Sequence, residues 1–149
     1  VAKLIVVNRY HDAAPAVGFV KGFGFPETHR IAIGSSVAHD CHNIIVAAND
    51  DEAAVQAANA IIKLKGALVL VVDGEEHLLP LPIAGIMSNR PAEEVAVLYQ
   101  TLDQRIKKLG SKLRAPFMTL SFLALLVIPR LKLGDRGLFS SMEKVSLGI

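Results

Sequence analysis

The chain has 149 residues, with 16 Lys and Arg against 14 Asp and Glu, and a formal net charge of +2. That balance excludes a protein built around nucleic acid, and the length suits one domain, 1–149, with a core of its own. A hydrophobic fraction of 52% and a mean hydropathy of +0.42 exceed the usual range of about 45–50%, which we read as a face covered by another domain or subunit in the whole molecule.

"KLIVV" (3–7) opens the chain as a strand. The start lacks both the basic, apolar and small-residue succession of a signal peptide and an initiating Met, the pattern of a piece of something longer. "AVGFVKGFGF" (16–25) reads as a second strand, whose alternating Gly and Phe let another backbone approach while the rings fill a core. "GFGF" lacks the third glycine of a dinucleotide loop. "RIAIGSS" (30–36) and "NIIVAA" (43–48) read as further strands, the latter buried on both faces.

A helix then follows from Asn49 or Asp50 as N-cap, with Asp51 and Glu52 at its positive end. Ala54, Ala58, Ile61 and Ile62 form its apolar face, thin enough for close packing on a sheet, and Gly66 supplies a left-handed end. "ALVLVVDGEEHLLPLP" (67–82) is a hairpin about Asp73-Gly74, a dipeptide that accepts the positive φ angles of a type I′ turn. The next helix starts at Pro91 and ends with Lys107, Lys108 and Gly110. Its stripe of Val95, Tyr99, Leu102, Ile106 and Leu109 fits a helix lying on a sheet or a helix–helix seam between subunits. The basic cluster Arg105, Lys107, Lys108, Lys112 and Arg114 sits mainly on the end of this helix, where cations complement the macrodipole.

"FMTLSFLALLVI" (117–128) has twelve residues against the roughly 20 that span a bilayer, so it is a buried segment and no membrane is expected. With "PLPIAGIMS" (80–88) it could wall a pocket through Met87, Met118 and Phe122, although plain core packing explains each residue as well. "RGLFSSMEKVSLGI" (136–149) is a candidate edge strand. The order gives no βαβ rhythm and predicts an α+β fold, a mixed or largely antiparallel sheet layered with two main helices.

Chemistry concentrates in "SSVAHDCHN" (35–43). His39 and His42, three apart, would both face one ion in a helical turn, and Asp40 and Cys41 lie beside them. The alternative is a polar plug whose groups satisfy backbone atoms between two buried strands, since an unsatisfied buried group costs about 1–3 kcal/mol. Cys41 is a poor candidate nucleophile: its chain neighbours Asp40 and His42 point elsewhere on an extended backbone, and a carboxylate disfavours the thiolate. As the lone cysteine it forms no internal disulfide, which suits a reducing, cytoplasmic setting.

Taken in order, "GFVKGFGF", "SSVAHDCHNIIV", "GALVLVVDG", "LPLPIAGIMS", "PAEEVA" and "PFMTLSFLALLVIPRLKLGDRGLF" resemble the C-terminal domain of adenine deaminase, of the amidohydrolase superfamily, from about Lys3 to Phe139. The family commonly has serine where Cys41 stands. The resemblance implies hydrolytic deamination of adenine to hypoxanthine and ammonia by the whole enzyme. It implies manganese or iron held in a preceding N-terminal amidohydrolase barrel, absent from this chain, and a homo-oligomer. Ser36, His39, Asp40, His42 and Asn43 become the candidates for facing the active site or a domain interface, and His39 and His42 the candidate metal ligands. A stand-alone metal hydrolase built on that pair and a structural or oligomerisation module are the competing expectations.

Overall fold

A computed structural model describes residues 1–140. Eight strands and three helices follow one another as β1 (Ala2–Val7), β2 (Ala16–Val20), β3 (Ile31–Ser35), β4 (Ile44–Ala48), α1 (Asp51–Leu64), β5 (Ala67–Val72), β6 (Glu75–Pro80), α2 (Ala92–Lys108), α3 (Pro116–Phe122), β7 (Leu131–Gly134) and β8 (Gly137–Ser140). Six strands form one sheet in the order β2-β1-β4-β3-β5-β6, and every pairing in it is antiparallel. The expected α+β fold is therefore present.

The pleat divides the core into two layers. Leu4, Ile31, Ile33, Ile45, Leu68 and Leu70 point to the face covered by α2, α3 and β7. Ala32, Val46, Val69 and Val71 point to the face covered by α1. Both central strands, β3 and β4, are buried at every position, as their unbroken apolar runs require. On the α1 side the small side chains let helix and sheet approach closely: Ala53, Ala54, Ala57 and Ala60 are buried, and a Cβ at Gly34 would stand 2.9 Å from the Ile61 Cδ1. Leu102 and Ile106 of the α2 stripe are buried inside the chain, with Val95, Tyr99 and Leu109 packed around them, so the helix-on-sheet reading holds and these residues form no free subunit seam.

Several local expectations shift. Strand β2 ends at Val20, because Gly22 and Gly24 take φ of 103° and 74° and turn the chain. Phe23 still fills the core, and a Cβ at Gly24 would meet the Gly110 carbonyl at 2.6 Å, which is the close backbone approach those glycines suggested. Asp50 caps α1 by accepting from the Ala53 N–H at 2.9 Å, but Ile62 faces solvent. Lys65 (φ 58°), rather than Gly66, takes the left-handed position. Gly66 is needed for a different reason: any side chain there would run into the Gly85 backbone. Pro91 caps α2 one residue before its first turn. The run 117–128 is only partly helical, as α3 and the turns after it. Residues 137–140 pair with β7 in a separate two-stranded sheet instead of extending the main one; the remainder of that expected edge strand, 141–149, lies outside the described residues. No helix among those described is long and apolar enough to cross a membrane.

Candidate functional site

The β3–β4 connection leaves the sheet where β5 begins, and its two flanks are pinned. Ser36, fully buried, accepts from the Ala67 N–H at 3.0 Å and donates to the Gly85 carbonyl at 2.6 Å. Ser35 accepts from the Val37 N–H at 2.9 Å. At the other flank the buried Asn43 side chain accepts from the Arg9 N–H at 3.2 Å. Arg9 then reaches over the connection, donating to the carbonyls of His42 (3.3 Å) and Ala84 (2.8 Å), while the Tyr10 hydroxyl donates to the Cys41 carbonyl at 3.1 Å. Ser36 and Asn43 are thus buried and hydrogen-bonded within the flanks of the turn.

The tip behaves differently. Asp40 is exposed and has no side-chain bond among the described residues. His42 takes φ 50°, a left-handed conformation that costs a non-glycine residue roughly 1–2 kcal/mol, and its Nδ1 is buried without a partner among the described residues. His39 packs against α3: its Nδ1 lies 3.0 Å from the Ser121 Oγ and its ring stacks on Phe122, centroids 5.0 Å apart and 20° from parallel. A cavity of about 140 Å³ opens beside it, walled by His39, Leu68, Tyr99, Phe117, Met118 and Ser121. Burial, helped by Asp103, pushes the Tyr99 hydroxyl above its ordinary pKa, so it stays protonated at that wall. Larger concavities lie elsewhere, about 620 Å³ over the first turns of α1 and 480 Å³ along Val20–Phe25, but neither contains a residue of the polar turn.

His39 and His42 lie on one turn, yet among the described residues no three His, Cys, Asp or Glu side chains assemble into a group able to hold a metal. The Cys41 Sγ has the Ala38 carbonyl of its own turn at 3.9 Å as its polar neighbour, not an imidazole. Met87 is exposed and lies outside the His39 cavity, whereas Met118 walls that cavity and Phe122 carries the imidazole. Arg9, Tyr10 and Ser121 are the residues that inspection of the turn alone misses. Arg9 is 33 residues from the carbonyl it holds and Ser121 is 82 from its imidazole. Only the interruption of an apolar run by the hydroxyls of Thr119 and Ser121 could have pointed to Ser121.

The chain is thus an antiparallel α+β domain whose densest polar turn lies at one end of the sheet. The chain belongs to the adenine deaminase C-terminal domain family, whose model matches residues 1–144. It is 50% identical over 141 residues to an adenine deaminase of Salinibacter ruber, a match covering 93% of this chain and 25% of that protein. An adenine deaminase of Sulfurovum sp. is 51% identical over 140 residues, 93% of this chain and 26% of its own length. One from Methanothermobacter thermautotrophicus is 48% identical over 147 residues, 99% and 27%. The chain thus spans about a quarter of the length of the curated relatives it matches.

Proposed function

We propose that this domain is the C-terminal part of an adenine deaminase, and that the protein carrying it hydrolyses adenine to hypoxanthine and ammonia in the cytoplasm. The observation that carries this reading is the match of residues 1–144 to that family, with about half the residues identical in relatives bearing that name. The manganese or iron of the reaction belongs to an N-terminal amidohydrolase barrel. The residues described here do not fit a metal centre, since His39 and His42 lack a third ligand, and no step of the reaction runs through a metal on this chain.

What this chain contributes is enclosure. Arg9, Ser36 and Asn43 fix the flanks of the polar turn, so that its tip, His39 to His42, meets the purine site or the barrel that forms it. Unmet hydrogen-bonding capacity at the tip and the exposed ring of Phe122 support that orientation. Ammonia release from adenine is the test. The full-length protein turns over in the presence of manganese and this chain alone does not; turnover by this chain alone would place the chemistry here and overturn the reading.

A second reading, a homo-oligomerisation role, draws on one observation. Strand β2 is an outer strand without a single charge, and its Val17 and Phe19 are 54% and 73% exposed. Such edges invite a partner strand. Sedimentation of the chain at rising concentration shows self-association if this edge is an interface, and a monomer that Phe19→Lys leaves unchanged removes the reading.

A further inference from the structure

The Ser121 hydroxyl has one proton and two close neighbours. Its Oγ lies 2.9 Å from the Met118 carbonyl and 3.0 Å from the His39 Nδ1. If the hydroxyl donated to the imidazole, its oxygen would face the carbonyl oxygen at 2.9 Å with no hydrogen between them, an arrangement of two acceptors. Both contacts are hydrogen bonds only when Ser121 donates to Met118 and accepts from Nδ1–H of His39. In the neutral ring the proton then resides on Nδ1, and Nε2 carries a lone pair. Among the described residues Nε2 has no partner, and it is not among the buried polar atoms left unsatisfied, so it reaches the surface.

The setting of that lone pair selects a ligand. The imidazole is held flat against Phe122, and the cavity beside it is walled by Tyr99, Phe117 and Met118. A flat ring with an N–H on its edge matches these aromatic surroundings and supplies a proton to the free acceptor, whereas an ionised carboxylate or phosphate offers none. Resting on the reading above, in which the turn meets a purine site, we propose that His39 contacts the base directly. Its Nε2 accepts a hydrogen bond from an N–H of adenine, and Ser121 is the positioning residue that keeps the ring in the accepting tautomer.

The experiment uses the full-length protein that carries this domain, with two readouts. In steady-state kinetics, His39→Phe keeps an aromatic ring but removes the acceptor, so KM for adenine rises about tenfold while kcat changes little, the loss of one hydrogen bond made equally in ground and transition states. His39→Gln, which retains an acceptor, recovers most of that loss. In the same protein labelled with 15N-histidine, the neutral His39 shows the proton on Nδ1, and Ser121→Ala releases the ring to both tautomers. Should His39→Phe fail to fold, Ser121→Ala carries the kinetic arm, with a KM rise of about threefold.

A proton found on Nε2 overturns the proposal, as does an unchanged KM in a folded His39→Phe enzyme that still deaminates adenine; in either case the family reading stands. A full-length protein that releases no ammonia from adenine under any metal condition removes the proposed activity, and this proposal with it.

Discussion

The two ends of strand β3 carry polar loops of similar density, and they are finished in opposite ways. At the Ile31 end, the Asn49 side chain accepts from the Ile31 N–H (2.7 Å) and donates to the carbonyls of Pro26 (3.0 Å) and His29 (2.8 Å). Asp73 there accepts from the Arg30 N–H (2.9 Å) and pairs with His29 at 2.6 Å. These groups bond to one another. At the Ser35 end the flanks are closed, but among the described residues His42 keeps an unpaired buried nitrogen and Asp40 makes no side-chain bond. A dense cluster of polar residues therefore does not by itself mark a working site. Hydrogen-bonding capacity that the chain leaves unmet, on a turn the chain holds rigidly, is the better mark.

The largest expected effect tests how rigidly the open end is held. Gly66 has φ 142°, and a Cβ there meets the Gly85 backbone, the Leu81 carbonyl lying 2.8 Å away. Backbone cannot yield as a side chain can. Gly66→Ala is expected to cost about 3 kcal/mol or more, read as a loss of folded protein or a large fall in the urea midpoint. A near-normal midpoint would show that the Gly66–Gly85 contact does not brace the turn through Ser36.

The closed end should be next. Asn49→Ala removes three bonds and strands the N–H of fully buried Ile31. A loss of about 2 kcal/mol is expected in denaturant unfolding, with adenine deamination by the whole protein unchanged. Reduced turnover in a folded variant would erase the distinction between the two ends.

The closed end should also govern the acid limb of stability. The hydrogen bond from His29, and then that from the Arg30 N–H, hold the Asp73 carboxyl below its ordinary value of 3.8. A group whose pKa is lower in the folded state contributes stability above its unfolded value and loses it as pH falls through the folded one. Thermal melts of the wild-type chain should therefore fall more steeply than those of Asp73→Asn once the pH drops below about 3.8. Parallel acid limbs would show that the pair adds nothing.

Much of this was legible in the sequence because it is local. The unbroken apolar run at 44–48, the Asp50 cap, the Asp73-Gly74 turn and the stripe on α2 each follow from residues a few positions apart. Ordered stretches of sequence also pointed to the family. The division of the polar turn into flanks and tip was not legible, since the deciding partners Arg9, Gly85 and Ser121 come from 33 to 82 residues away. Nor did the spacing of His39 and His42 decide their use. A helical turn would have paired them, but the left-handed backbone at His42 turns the connection another way.

The smallest effect makes the sharpest comparison, because the two ends contain a matched pair. Asp73 and His42 share the same left-handed backbone, φ 49° and 50°. Glycine relieves that strain at either position, and the side chain lost decides the outcome. At Asp73 the carboxylate accepts two hydrogen bonds, so Asp73→Gly should lower the melting temperature. At His42 the imidazole leaves a buried nitrogen unpaired, so His42→Gly should raise stability by about 0.5–1 kcal/mol while adenine turnover by the whole protein falls. Opposite signs would mean that the open end retains a costly residue for use rather than for folding. If both variants lose stability, His42 is packed as firmly as Asp73 is bonded, and the open end is only another closed one.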